Sequence, residues 1–448
     1  MCGIFGVFDN PDASKIVKEG LFALQHRGQE SAGIITYEKG KLIIEKRMGL
    51  VNEIFTKDIL KRLQGKIAIG HTRYSTQGGS LLKNAQPHFS SDSSLALVSN
   101  GDIPNTKELK QELIKSGEHF YSDNDGEILV KTIDHYLKKD NTNISRRKKI
   151  INAIKRMMKK VRGAYSVLML TNKGELFVFR DPLGFRPLSI GKINSNTLVF
   201  ASETCAFDLV RANYQKEIKP GEILTFPTGE KTVFSSNKNS FCIFELIYFS
   251  RPDSFTFSKN VSQVKQSLGK RLAKDFPVKA DVVIPIPDSS NHIALGYSKM
   301  SGIPFDFGLT RSHYVGRTFI APSQKIRDFE VRLKFNPNKA ELEGKKVVAV
   351  DDSIVRGTTM KKLVKMIRGA GAKEVHVRIG SPPITNSCFF GVDTPTKEEL
   401  IAFSKNTQEI RDYITADSLE YQSLEGLRSV INNPEDFCYA CFTGDYPV

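Results

Sequence analysis

No run of apolar residues in this chain approaches the ~20 needed to span a bilayer. The amino terminus, Met1-Cys2-Gly3-Ile4-Phe5, has no basic stretch leading into an apolar one, so no secretory signal is expected. The expectation is a soluble, cytoplasmic protein with no membrane partner. Cysteine is scarce, with six in 448 residues at positions 2, 205, 242, 388, 438 and 441. That is too few for a disulfide scaffold, which leaves metal binding or catalysis as the expected use. Internal repeats and low-complexity tracts are absent. A composition of 40% hydrophobic and 25% charged residues excludes disordered, collagen-like and coiled-coil classes.

What is present is length and positive charge. A chain of 448 residues predicts two or three domains. Lys plus Arg number 65 against 49 Asp plus Glu, a net charge of +16, which suits polyanionic partners, either nucleic acid or small phosphorylated metabolites. The basic residues spread along helical stretches such as Arg146 to Lys160 without interleaved aromatics, so no nucleic-acid partner is expected.

The pattern changes midway. Up to about residue 230, short apolar strands arrive in adjacent pairs, such as Gly33 to Tyr37 with Lys41 to Lys46 and Tyr165 to Leu170 with Glu175 to Arg180. Paired strands and amphipathic helices predict an antiparallel α+β sandwich. An Asn-x-x-Glu signal predicts a helix from Asn105 to Lys115. Beyond about 258, the apolar stretches Asp281 to Pro285, Pro304 to Leu309, Lys346 to Val350 and Glu374 to Ile379 predict a parallel α/β sheet covered on both faces. The expected division is 2–230, a junction at 231–258, 259–394, and a tail at 395–448.

Removal of Met1 leaves Cys2 with a thiol and a free α-amine on one residue. An amine titrating near ~8 can take the thiol proton, which makes Cys2 a candidate nucleophile. Acyl transfer from an amide also needs an oxyanion hole, and Ser99-Asn100-Gly101-Asp102 offers a side-chain amide and a backbone N–H. Arg73 in Gly70-His71-Thr72-Arg73-Tyr74-Ser75 suits an amino-acid carboxylate, and Asp125 in Asp123-Asn124-Asp125-Gly126 suits its ammonium.

These segments, with Gln25-His26-Arg27-Gly28, resemble the glutaminase domain of the class II glutamine amidotransferases. Ser99 stands where that family usually has His, and Asp102 where it usually has Asn. The resemblance implies an αββα amino-terminal nucleophile hydrolase sandwich in which Cys2 attacks glutamine. It also implies Asn100 and Gly101 as the oxyanion hole, with Arg73, Asp125 and Arg27 as glutamine-binding residues.

In the second half, Lys346-Val347-Val348-Ala349-Val350-Asp351-Asp352 reads as a buried strand ending in two carboxylates. Ser353-Ile354-Val355-Arg356-Gly357-Thr358-Thr359 then reads as a loop opening a helix, an anion cradle of N–H groups and hydroxyls. This stretch resembles the phosphoribosyl pyrophosphate (PRPP) signature of the type I phosphoribosyltransferases. The resemblance places Asp351 and Asp352 around the ribose and a Mg²⁺, and Ser353, Ile354, Val355, Arg356, Gly357, Thr358 and Thr359 around the 5-phosphate. It adds Ser289 to the Mg²⁺ ligands, and Tyr314, Arg317 and Lys334 on a flexible loop to the PRPP contacts.

Cys438 and Cys441 can share one metal centre, which Cys242 and Cys388 would complete for either zinc or an iron–sulfur cluster. The flanking segments resemble one family's cluster ligands, which implies a structural 4Fe-4S cluster.

Over essentially its full length the chain resembles the family that joins a class II glutaminase to a type I phosphoribosyltransferase, and that resemblance implies the reaction in which glutamine, PRPP and water give 5-phosphoribosylamine, glutamate and pyrophosphate. That is the entry step of purine synthesis. The resemblance also implies purine nucleotides as feedback inhibitors and a homotetramer; with no propeptide ahead of Cys2, maturation is expected to need only Met removal.

Overall fold

The computed structural model describes residues 1–75, 79–234, 238–312 and 334–448. They form two compact units. The first comprises Met1–Cys242 with Cys388–Asp393 and Val448, and the second Ile243–Ser387 with Thr394–Pro447.

The first unit contains two antiparallel sheets. One runs Asn213–Glu217, Ser189–Lys192, Leu198–Ala201, Gly3–Phe8, Ile67–Arg73, Ser31–Glu38 and Lys41–Met48. The other runs Glu230–Val233, Glu222–Phe226, Leu176–Arg180, Ala164–Thr171, Leu95–Asp102 and His88–Phe89. Alternation sends Ile4, Ile35 and Ile69 to a core shared with Ala96, Val98 and Leu168 of the second sheet. The opposite faces pack against helices. Helix Ala13–Ala23 brings Val17 and Leu21 against Phe5 and Val7, while Asp125–Lys138 and Arg146–Lys160 cover the other sheet. Helix, sheet, sheet and helix give the expected αββα sandwich, and both expected hairpins form.

Asn105 precedes helix Thr106–Lys115, yet its side chain does not cap it. Its Oδ1 accepts from the Arg162 N–H at 3.1 Å and its Nδ2 donates to the Lys160 carbonyl at 3.1 Å, so the side chain ties the chain after the neighbouring helix instead.

The second unit holds a parallel sheet in the order Val282–Pro285, Lys346–Asp351, Glu374–Ile379 and Ser418–Tyr421. Leu363, Val364 and Ile367 of helix Thr358–Gly369 pack on one face, and Ile293, Ala294 and Tyr297 of helix Asn291–Ser301 pack on the other. The expected strand from Pro304 to Leu309 shrinks to a bridge at Phe305. Pro304 brings no N–H to a ladder, and Leu309–Arg311 pairs instead with Phe335–Pro337. Ser418–Tyr421 is a fourth strand in the tail that the apolar pattern did not signal. Among the described residues no helix is long and apolar enough to cross a membrane.

Candidate active sites

Cys2 enters the central strand Gly3–Phe8, one step beyond the Gly3–Thr72 pair, so the register sets it opposite Arg73. Its backbone N–H donates to Asn100 Oδ1 at 3.3 Å, its carbonyl accepts from Arg27 Nε at 2.9 Å, and its thiol lies 3.6 Å from the Tyr74 carbonyl. Burial pushes the thiol pKa up, opposed by the positive charges of the chain terminus and Arg73. Met1 is buried, with its sulfur beside Arg186.

Asn100 and Gly101 come from Leu95–Asp102 in the other sheet. With Oδ1 held by Cys2, Asn100 Nδ2 is buried and has no hydrogen-bond partner among the described residues. An amide donor left open in this way carries a desolvation cost that an incoming oxyanion would relieve. At Gly101 a β-carbon would fall 1.9 Å from the Ala164 carbonyl oxygen, so only glycine fits.

Arg73 is buried at the end of Ile67–Arg73, where it donates to Ser75 Oγ at 2.9 Å and the Gly79 carbonyl at 3.2 Å, with Glu30 at 3.5 Å. Asp125 opens helix Asp125–Lys138, capped by Asn124 accepting from the Gly126 N–H at 2.9 Å. Burial and the nearby Asp102 carboxylate push the Asp125 pKa up to about 8 against the pull of Arg73. Asp102, the family departure, thus bears directly on the charge of Asp125. Ser99, the other departure, donates its N–H to Gln86 Oε1 at 2.6 Å, and Gln86 Nε2 reaches Asn124 Oδ1 at 3.2 Å.

Arg27, expected among the glutamine-binding residues, has its buried guanidinium on the Cys2 carbonyl and on the Glu203 carboxylate. Glu203 and Gln86 are the residues that sequence reading passed over. Neither lies in a segment with a motif of its own.

In the second unit, Asp351 ends its strand, and Asp351 Oδ1 accepts from the Asp352 N–H at 2.9 Å and Ser290 Oγ at 3.0 Å. The Asp352 carboxylate accepts from Ser289 Oγ at 2.5 Å and Ser353 Oγ at 2.7 Å. Burial raises both pKa values, and repulsion from Asp352 adds to the rise at Asp351. Gly357, at φ 72°, turns the chain into helix Thr358–Gly369, whose first residues Thr358 and Thr359 are exposed. Ile354 is buried, while the Val355 carbonyl accepts from the Ile401 N–H at 2.9 Å and Arg356 pairs with Glu399 at 3.2 Å. Lys334, whose carbonyl accepts from the Ser312 N–H at 2.8 Å, borders residues 313–333. Tyr314 and Arg317 lie outside the described residues.

The four cysteines expected to share a metal centre are divided between the units, Cys242 and Cys388 in the first, Cys438 and Cys441 in the second. Among the described residues no group of three or more His, Cys, Asp or Glu side chains comes together to hold a metal ion. Cys-x-x-Cys spacing brings two thiols near each other and leaves the other two to tertiary structure. Cys388 Sγ accepts from the Phe390 N–H at 3.3 Å.

Two family models match the chain, a glutamine amidotransferase domain over residues 71–208 and a phosphoribosyl transferase domain over residues 258–379. The chain therefore joins a glutamine amidotransferase to a phosphoribosyltransferase. Amidophosphoribosyltransferase 1 of Arabidopsis thaliana, named chloroplastic, is 47% identical over 100% of this chain and 78% of that protein. The Bacillus subtilis amidophosphoribosyltransferase is 46% identical over 100% of this chain and 94% of its own length. Two solved structures cover all of this chain. One, described as the allosteric regulatory enzyme of purine biosynthesis, has TM-score 0.91, 46% identity and 96% of its chain covered. The other, glutamine PRPP amidotransferase from B. subtilis complexed with ADP and GMP, has TM-score 0.90, 45% identity and 97% of its chain covered. The chain belongs to the amidophosphoribosyltransferase family.

Proposed function

We propose that this chain moves the amide nitrogen of glutamine onto C1 of PRPP, yielding 5-phosphoribosylamine, glutamate and pyrophosphate, the first step of de novo purine synthesis. The carrying observation is Cys2 hydrogen-bonded to Asn100, whose Nδ2 stands buried and open. Once Met1 is removed, the Cys2 α-amine takes the thiol proton and the thiolate attacks the glutamine side-chain carbon. Asn100 Nδ2 and the Gly101 N–H receive the developing oxyanion. Ammonia leaves as the thioester forms, and water then releases glutamate. Arg73 and Asp125 pair with the glutamine carboxylate and ammonium.

Ammonia, kept unprotonated, attacks C1 of PRPP and pyrophosphate departs. Asp351 and Asp352 take the ribose hydroxyls, and the loop from Ser353 to Thr359 takes the 5-phosphate with its N–H groups and the N-terminus of helix Thr358–Gly369. The buried acidic pair with the Ser289 hydroxyl fits Mg²⁺, because a divalent cation would offset two carboxylates that burial otherwise drives toward protonation. When bound, Mg²⁺ supplies charge neutralisation for the departing pyrophosphate.

The ADP and GMP complex of the B. subtilis relative supports purine nucleotides as feedback inhibitors. Family likeness supports a homotetramer, and light scattering tests it. The segments flanking the four cysteines support a 4Fe-4S cluster that takes no part in the reaction. Four irons and four acid-labile sulfides per chain in anaerobically purified protein would establish it, and stoichiometric zinc without sulfide would overturn it.

The test of the reaction is Cys2→Ala. Loss of glutamine-dependent product with ammonia-dependent product retained supports the two-site reading, and equal loss of both contradicts it.

A further inference from the structure

Glu203 follows the strand Leu198–Ala201, which pairs with Gly3–Phe8 on the side away from Arg73. Its side chain is fully enclosed, as is that of Arg27. One carboxylate oxygen, Oε1, takes Arg27 Nη1 and also meets His26 Nε2 at 2.8 Å. Arg27 then places Nε 2.9 Å from the Cys2 carbonyl oxygen. The residue before Glu203 acts on the same backbone. Ser202 Oγ accepts from the Ile4 N–H at 3.0 Å, and the Ser202 N–H donates to the Ile4 carbonyl at 3.1 Å.

Two buried charges held together in this way cost desolvation that their attraction offsets only in good geometry. A buried pair is therefore weak evidence of a stability role. Here the pair ends on a reacting residue. The Cys2 carbonyl carbon is bonded to the α-carbon that carries the amine and the thiol-bearing β-carbon, so holding it fixes the backbone from which both groups reach toward Asn100.

We propose that Glu203 is a positioning residue for the glutaminase half-reaction, acting through Arg27 to hold the Cys2 backbone so that thiol and α-amine meet the substrate amide in register. The inference rests on Cys2 being the nucleophile. It assigns Arg27 to orienting the nucleophile, where the family motif alone suggested a substrate contact. A shift of the nucleophile by about 1 Å can cost on the order of 100-fold in rate while leaving substrate binding intact.

The test uses full-length, Met-processed enzyme and three variants: Glu203→Gln, Glu203→Asp and Arg27→Lys. Steady-state glutamine hydrolysis is measured beside ammonia-dependent PRPP turnover and alkylation by a diazoketone analogue of glutamine, mapped by peptide mass spectrometry. Glu203→Gln is expected to lower kcat for glutamine at least tenfold with KM within about twofold, and to slow Cys2 alkylation in proportion. Glu203→Asp is expected to recover part of the rate. Arg27→Lys is expected to reproduce the kcat loss, and combining it with Glu203→Gln should add little to either alone. Unchanged kcat with lowered thermal stability would overturn the proposal, as would a loss confined to KM. Should Glu203→Gln fail to fold, Glu203→Asp and Arg27→Lys read the same kcat-to-KM split. Alkylation of a residue other than Cys2 in the parent enzyme would instead defeat the nucleophile assignment, and so separates the two failures.

Discussion

The backbone N–H of Cys2 donates to Asn100 Oδ1 across 3.3 Å, although 98 positions separate the two residues in sequence. That bond joins the central strand of one sheet to the other sheet of the sandwich. It also orients the Asn100 amide so that Nδ2 is left for a ligand.

Asn100→Ala should cut glutamine-dependent kcat by about 10²–10³, or roughly 2.7–4 kcal/mol, the usual cost of one oxyanion donor. Ammonia-dependent turnover, assayed in parallel, should hold. A comparable fall in the ammonia-driven rate would place Asn100 outside the glutaminase step.

Asp125 gives a pH dependence. With its pKa raised to about 8, the empty site is mostly protonated at neutral pH and cannot pair with the substrate ammonium. The glutamine KM should therefore fall as pH rises from about 6.5 toward about 8, by roughly tenfold per unit at the acid end. Asp125→Asn should raise KM and flatten the profile. The same proton bears on stability. A carboxyl whose folded pKa is raised stabilises the fold at pH values below its unfolded pKa, and that contribution is lost as pH rises through about 8. Melting scans should thus show Asp125→Asn narrowing the decline in Tm between about pH 4 and 8.

Gly357→Ala tests the phosphate cradle. At φ 72° a β-carbon costs about 1–2 kcal/mol of backbone strain and meets Ile401 Cδ1 at 2.6 Å. The expected result is a higher KM for PRPP, with labelling of Cys2 by a glutamine analogue unchanged. An unchanged KM would show that the turn does not shape the phosphate site.

Asp351→Asn should abolish PRPP turnover, because it removes one charge from the pair while keeping the Ser290 contact. Labelling of Cys2 should survive. If both disappear together, the carboxylate supports the whole fold and not one site.

Much of this could be read from the sequence where one segment holds its own chemistry. Cys2, Asn100-Gly101, Arg73 and the run from Asp351 to Thr359 each lie at or near a strand end in a short segment whose residue types name their chemistry, while the meeting of Cys2 with Asn100 across 98 positions is supplied by the two sheets. Glu203 was not legible, because its partner Arg27 lies 176 positions away and an acidic residue after a strand carries no signal. Gln86, 13 and 38 positions from its partners Ser99 and Asn124, was not legible because its segment carries no motif of its own. Asn105 shows the opposite failure: a sound capping signal lost to two backbone groups of a neighbouring segment. The strand Ser418–Tyr421 escaped notice because four residues are too few to display a period. The four cysteines lie too far apart in sequence for spacing to decide whether they meet.

Intact-mass spectrometry of active enzyme, before and after reaction with the diazoketone analogue, tests the chemistry most directly. The expected spectrum lacks Met1 and gains one adduct per chain, mapping to Cys2, with glutamine-dependent activity lost in step. Methionine retained on fully active protein, or an adduct elsewhere, would contradict an amino-terminal cysteine as the nucleophile.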